Sequence, residues 1–389
     1  MRKAKRILNV PPYLFARIEK TRNKLLAEGK DLVDLGVGDP DSPTPDFILK
    51  DFHKIIDDPK THDYPPYNGI PEFRASVAKW YKKRFNVDLD PETEVLSLIG
   101  SKEGIAHIFY AFIDPGDVAL LTDPGYPVYN TGTILAGGSP YPVPILEENG
   151  FLPDLKSIDK KALKKAKLLF INYPNNPTAA VATKEFFTEA VEFCKKNDLL
   201  LCSDLAYSEV AFDGFRPMSI LEIPGAKDVA IEFHSLSKTY NMTGWRIGMA
   251  VGNSEAISAL SIIKTNTDSG IFKAIQLAAV TALESSGDNT AKMNKIYQKR
   301  RDIIVDGLNS LGWDIKKPKA TFYIWAKVPK SYTSEKFTEE LLKKAGVLIV
   351  PGSGYGKYGE GYFRMSITLP EKRLEEAISR MRAANIKFN

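Results

Sequence analysis

The chain is poor in several things, and each shortage excludes a class of protein. It has two cysteines in 389 residues, Cys194 on the apolar face of a helical pattern and Cys202 inside an apolar run. Both read as small core residues, so neither a disulfide framework nor a thiolate metal pair is expected. No uninterrupted apolar run approaches the length of a membrane span. The start, Met-Arg-Lys-Ala-Lys-Arg, is basic, but no apolar stretch long enough for a signal peptide follows it. The net charge is +5, with lysine and arginine spread along the chain and no long basic block. That balance reads as a solvated surface rather than a nucleic-acid footprint. The phosphate loop Gly-x4-Gly-Lys-Ser/Thr is missing. The glycines of Gly352-Ser-Gly354-Tyr-Gly356 break the spacing of a dinucleotide fingerprint. The expectation is a soluble cytoplasmic protein with no membrane, nucleic acid or metal among its partners.

What is present is a 43% hydrophobic content, enough for one large core and a second, smaller domain. The middle of the chain repeats one rhythm, a short apolar run followed at once by polar, glycine or proline residues. Residues 118–121 lead to Asp123-Pro-Gly-Tyr126, and 168–171 to Asn172-Tyr-Pro-Asn-Asn176-Pro-Thr. Residues 199–202 lead to Ser203-Asp204, and 230–233 to Ser235-Leu-Ser237-Lys238. Continuous apolar runs suit strands buried on both faces, hence an α/β fold with a parallel or mixed sheet. Phe186, Phe187, Ala190, Val191 and Cys194 recur at helical spacing and predict a crossover helix. In open sheets of this kind the ligand site lies at the carboxyl ends of the strands, where every one of these polar clusters falls. The chain ends look different. Helices are predicted over 13–28, about 291–311, 335–345 and 371–383, and strands over 322–326 and 362–367. This α+β pattern divides the chain into an arm and part of a small domain over 1–45, a large domain over 46–287 and the rest of the small domain over 288–389.

Lys238 is the residue most suggestive of chemistry. It follows a strand, with Ser235 and Ser237 before it and Arg246 eight residues after. A lysine there can form a Schiff base with an aldehyde cofactor whose phosphate the hydroxyls and guanidinium hold, although a solvated loop lysine is the ordinary alternative. Asp204 past its strand could pair with a protonated pyridine nitrogen, or merely cap a turn. Tyr207 could donate to a phenolate oxygen or simply pack. Asn176 could donate to the same oxygen, while Asn-Pro is also a turn signal. Tyr126, presented by a rigid turn, could stack on a ring or be a plain loop aromatic. Gly100-Ser101-Lys102 opens a helix around 105–112 and suits a phosphate at a helix N-terminus. Arg364, in an apolar strand, needs an anion, either a substrate carboxylate or an internal partner.

Taken together these residues resemble the fold-type I pyridoxal phosphate enzymes, and among them the class I/II aminotransferases. The match spans nearly the whole chain: Tyr64-x4-Gly69-Ile-Pro-Glu-Phe-Arg74, Gly100-Ser-Lys102, Asp123-Pro-Gly-Tyr126-Pro, Asn175-Asn-Pro-Thr178, Asp204-x-x-Tyr207, Ser235-x-Ser-Lys238, Arg246 and Arg364. The resemblance implies an aspartate-aminotransferase-like fold, with a mostly parallel seven-stranded sheet in the large domain and a small α+β domain from both chain ends. It implies pyridoxal 5'-phosphate as cofactor, Lys238 as the Schiff-base lysine and proton shuttle, and Asp204 on the pyridine nitrogen. Tyr207 and Asn176 would bond the phenolate and Tyr126 would stack on the ring. Ser101, Lys102, Ser235, Ser237 and Arg246 would hold the phosphate, joined by Tyr64 from the neighbouring subunit of a homodimer. Arg364 would bind the substrate α-carboxylate. Asn9-Val-Pro-Pro-Tyr13, Asp34-Leu-Gly-Val-Gly38-Asp-Pro40 and Gly359-Glu-Gly-Tyr-Phe-Arg364 more narrowly resemble LL-diaminopimelate aminotransferases, in which Tyr13, Gly38 and Lys102, with Tyr126 and Asn176, would contact substrate.

That resemblance implies a ping-pong exchange with 2-oxoglutarate and glutamate, interconverting tetrahydrodipicolinate and LL-diaminopimelate. An aspartate, alanine or broad-range aminotransferase, a pyridoxal phosphate lyase or decarboxylase, and a cofactor-binding regulatory domain stay open at this point. Two positions depart from the family pattern. Ala179 stands where Asn-Pro-Thr is usually followed by glycine, which is acceptable where the backbone does not need φ > 0. Leu205-Ala206 replaces a more usual pair of small residues. Lys238 must be neutral when it acts, so its pKa is expected to lie below the usual value of about 10.4.

Overall fold

The computed structural model describes residues 1–12 and 14–388, and the side chains of all of these except 14–17. Twelve strands follow in chain order. They are β1 (Val33–Asp34), β2 (Val95–Leu98), β3 (Val118–Asp123), β4 (Ser139–Pro144), β5 (Ala166–Asn172), β6 (Leu200–Asp204), β7 (Ala230–Ser235), β8 (Gly248–Gly252), β9 (Tyr323–Lys327), β10 (Val347–Leu348), β11 (Val350–Pro351) and β12 (Tyr362–Ser366).

Seven of them form one sheet in the order β2-β8-β7-β6-β5-β3-β4. Its pairs are parallel except those that β8 makes with β2 and β7. The inner strands are buried on both faces, which is why their sequences are largely apolar, although β7 also buries Glu232 and His234. The edge strand β4 is Ser-Pro-Tyr-Pro-Val-Pro, and prolines that cannot donate to a ladder belong on such an edge. The crossover helix runs Lys184–Asn197. The Thr183 side chain accepts from Phe186 N at its start, and Asp198 in the left-handed region (φ 53°) ends it. It buries Phe186, Phe187, Ala190, Val191 and Cys194, the face predicted from spacing.

A second, antiparallel sheet has the order β11-β12-β9, and β1 pairs with β10 in parallel. Val33 and Leu35 share one apolar core with Trp313, Phe337, Phe363 and Met381, so residues near both chain ends pack together. The long helix is Asp288–Asn309, entered from Gly287 (φ 91°) and followed by Gly312 at φ 98°. It starts earlier than its apolar pattern, because the first turn, Asp288-Asn-Thr-Ala, is polar and exposes no periodicity. The helix predicted around 105–112 likewise begins at Ser101, immediately after Gly100. Both cysteines are buried and free. Among the described residues there is no cluster able to hold a metal ion, and no helix is long and apolar enough to cross a membrane.

Candidate active site

Strands β5, β6 and β7 end side by side, with Asn172 opposite Asp204 and Asp204 opposite Phe233. This register sets the polar residues that follow each strand around one point. Beneath it lies an aromatic layer. The Phe170 ring stacks 4.3 Å from Tyr129 and 6.0 Å from Phe233, centroid to centroid. Each such buried ring contributes roughly 1.5–3 kcal/mol and fixes what stands above it. Tyr129, held this way, donates its hydroxyl to Asp204 Oδ2 at 2.7 Å. Ala206 N donates more weakly to Oδ1, at 3.3 Å. Burial pushes the Asp204 carboxyl up to about 6 against these two donors. A cation or N–H⁺ brought to Oδ1 would restore the charged form.

Asn172 locks two loops at this end. Its amide nitrogen donates to Asp204 O at 2.7 Å, and its side-chain oxygen accepts from Asn176 N at 2.7 Å. Asn175 closes the same turn, its Oδ1 accepting from the Thr178 amide and hydroxyl. Ala179 then takes φ 59°, the left-handed region, and is buried. The backbone here does need the conformation that glycine adopts freely, so the alanine carries strain of about 1 kcal/mol.

Lys238 sits in the short helix Leu236–Thr239, which Ser235 caps by accepting from Ser237 N at 3.2 Å. Its Nζ donates to the carbonyl of Gly38 at 3.1 Å. Burial lowers its pKa to about 8. Asp39 opposes that shift, and the Arg246 and Arg364 charges add to it. A substantial fraction of the amine is therefore neutral near pH 8, as the sequence reading requires. Beside it, Arg246 (φ 56°) donates to Thr243 O at 2.8 Å and approaches Ser237 Oγ at 3.5 Å. A Cβ on Gly100 would lie 2.2 Å from Arg246 Nη2, and one on Gly248 would lie 2.9 Å from Ser101 N. Only glycines let the guanidinium, the two serines and the N-terminus of the helix Ser101–Phe112 converge, and together they make an anion cradle.

The opposite wall comes from the chain ends. Arg364 on β12 is buried, with Nη1 donating to Asn176 Oδ1 at 2.9 Å and Nη2 to Gly36 O at 2.6 Å. Because arginine only donates, Asn176 Oδ1 is committed to it and the amide nitrogen is turned elsewhere. Tyr207 OH lies 3.0 Å from Tyr323 OH, the start of β9. Tyr126 packs edge-on to Tyr129 at 5.8 Å. Lys102 is exposed in the first turn of its helix. Tyr64 is 84% exposed, so within one chain it stands on the surface rather than in this cluster. Tyr13 lies outside the described residues.

The family model for aminotransferase class I and II matches residues 30–381. The chain belongs to the class I and II aminotransferases. It is 57% identical over 379 residues to an LL-diaminopimelate aminotransferase of Desulforudis audaxviator, covering 97% of both chains. To the LL-diaminopimelate aminotransferase of Aquifex aeolicus it is 53% identical, covering 98% of each. Among solved structures, substrate-bound BacF from Bacillus subtilis superposes with a TM-score of 0.96 at 37% identity, covering 100% of this chain and 99% of that one. A single mutant of Thermus thermophilus aspartate aminotransferase does so at 0.91 and 28% identity, covering 99% and 100%. The seven-stranded, mostly parallel sheet expected from the sequence is thus the aspartate-aminotransferase-like fold.

Three residues of this cluster were not singled out in the sequence. Tyr129 could have been noticed three residues after Tyr126, on the next turn of a helix. Asn172 ends its strand as Asp204 ends the neighbouring one. Tyr323 had no local signal, since its partners Tyr207 and Gly38 are distant in sequence.

Proposed function

We propose that the aminotransferase binds pyridoxal 5'-phosphate and exchanges amino groups between LL-diaminopimelate and 2-oxoglutarate, working as a homodimer. The observation that carries the cofactor reading is the donor set. A buried carboxylate with a raised pKa, a desolvated lysine and a glycine-lined anion cradle surround one point. Those groups fit the ring nitrogen, aldehyde and phosphate of the cofactor. The substrate reading rests on identities of 51–57% with LL-diaminopimelate aminotransferases along essentially their whole length.

When bound, the cofactor supplies an aldehyde that condenses with amines and a ring that accepts the electrons left by a departing α-proton. The chain's own residues do the rest. Asp204 keeps a proton on the ring nitrogen. Tyr207 and the Asn176 amide donate to the phenolate. Tyr126 covers the ring face. Ser101, Lys102, Ser235, Ser237 and Arg246 hold the phosphate. Arg364 fixes the substrate carboxylate, with Asn176, Tyr126, Gly38, Lys102 and Tyr13 around it. Lys238 Nζ, lowered to about 8, takes the proton from the α-carbon and returns it. The homodimer reading is supported by the exposed rings of Tyr64 and Tyr67, which a partner subunit would cover. The arm and small domain over 1–45 and 288–389, around a large domain over 46–287, remain our division of the chain.

The test is a panel of amino acids, including the LL and meso forms of diaminopimelate, offered with 2-oxoglutarate. Glutamate is expected with the LL form. Strong activity on aspartate beside none on LL-diaminopimelate would leave an aminotransferase of another substrate.

A further inference from the structure

Tyr323 is absent from every role described so far, yet it touches three parts of the site. It opens β9, opposite Ser366 of β12, and is buried. Its hydroxyl lies 3.0 Å from that of Tyr207. A Cβ on Gly38 would fall 2.1 Å from the same hydroxyl, so the main chain that accepts from Lys238 runs directly over it. The Arg364 guanidinium covers its ring at 4.1 Å. The ring is also pinned edge-on by Tyr207 at 5.5 Å and Phe322 at 5.0 Å, which leaves the hydroxyl one fixed position.

The two hydroxyls share one hydrogen bond, and only one of them can be its donor. We propose that Tyr323 is a positioning residue that donates to Tyr207 oxygen and so commits the Tyr207 proton to the cofactor's phenolate oxygen. This rests on the pyridoxal phosphate reading above. The reason is cooperative. A hydroxyl that accepts a hydrogen bond becomes a better donor, and more so where the dielectric is low. Burial keeps both phenols protonated by pushing their pKa values up, so neither can act as a bare acceptor. Tyr207 then draws negative charge off the phenolate. That oxygen holds the proton it shares with the lysine nitrogen less firmly, and the proton leaves at a lower pH. Because Tyr323 is borne on the strand beside Arg364, the device ties the carboxylate-binding wall to the ring's electronics.

The experiment is a pH titration of the visible absorbance of the holoenzyme for wild type, Y323F, Y207F and the double variant. Each variant keeps its ring, and thermal unfolding of the cofactor-free forms checks that the fold is retained. Y323F is expected to raise the titration midpoint, on the order of half a pH unit. Y207F raises it further, and adding Y323F to Y207F changes nothing more. An unshifted midpoint in Y323F, or an equal shift with and without Tyr207, would overturn the proposal while leaving the cofactor reading intact. A wild-type protein with no titrating visible band would overturn the cofactor reading, and this inference with it.

Discussion

Asp204 and Glu232 are two buried carboxylates on neighbouring strands, and they have opposite fates. Ser203 stands opposite Glu232, and Asp204 opposite Phe233, so one step along β6 moves from one face of the sheet to the other. Glu232 accepts from Tyr81 OH at 3.1 Å, Ser203 Oγ at 3.1 Å, Ser219 Oγ at 2.6 Å and Ile220 N at 3.0 Å. Four donors from three separate places in the chain saturate it. Asp204 has one good donor and one long one. Burial raises both, Glu232 to about 7 and Asp204 to about 6. Burial and a raised pKa are therefore no mark of a site by themselves. What separates the two is spare acceptor capacity, used up by the protein at Glu232 and left open at Asp204.

The sharpest way to break this contrast is to neutralise each carboxylate. Asp204→Asn should fold normally but lose turnover by about 10²–10⁴-fold, the equivalent of the ~3–5 kcal/mol that breaking a buried ion pair costs. Steady-state kinetics at saturating cofactor would read it, and a loss below tenfold would contradict the role. Glu232→Leu should do the reverse. It strands three hydroxyls and an amide, so denaturant unfolding should show a loss of roughly 3–5 kcal/mol, with kcat of the folded enzyme within about twofold of wild type. A kcat collapse there would mean that the two faces are not separate.

The pH dependence of the cofactor-free protein is a milder test. The usual carboxyl values are 3.8 for Asp204 and 4.5 for Glu232, and both are higher in the folded state. Between those values and about 6 or 7 the folded state holds protons that the unfolded state has released. Stability is therefore greatest at the acid end of this window and falls as pH rises through it, by about 3 kcal/mol for each group. Asp204→Asn should remove the part of the slope between about pH 4 and 6, and Glu232→Gln the part that extends to about 7. Bound cofactor should flatten only the Asp204 part. A stability that rises across the window in the wild type would contradict both assignments.

The smallest effect concerns backbone strain at the site end. Ala179, Asn241 and Arg246 all have positive φ there, while Ser219 and Glu222, behind the sheet, form a relaxed capping box. Ala179→Gly should gain about 0.5–1 kcal/mol in thermal unfolding, with turnover unchanged. A loss of stability would show that the alanine methyl group's packing outweighs its strain.

Much of this was legible beforehand, for identifiable reasons. Apolar runs ended by polar clusters announced β3, β5, β6 and β7, because strands buried on both faces are mostly apolar and gather most of their polar residues at their ends, with Glu232 and His234 of β7 as buried exceptions. Lys238, Asp204, Asn176 and Arg364 were legible as candidates because each is a costly residue type beside an apolar run. The strain at Ala179 was not, since a single sequence does not reveal the sign of φ. The early starts of the helices at Ser101 and Asp288 were missed because their first turns carry no apolar period.

The sequence by itself determined the order of strands and helices, the polar residues at the strand ends and the family. These follow from local spacing and residue type, which act along the chain. Only the tertiary structure decided that Asp204 is left open and Glu232 closed, that Gly38 must lack a side chain, and that Tyr323 meets Tyr207. Each of those depends on which group from another element of the fold comes into contact, and such a partner leaves no trace in local sequence.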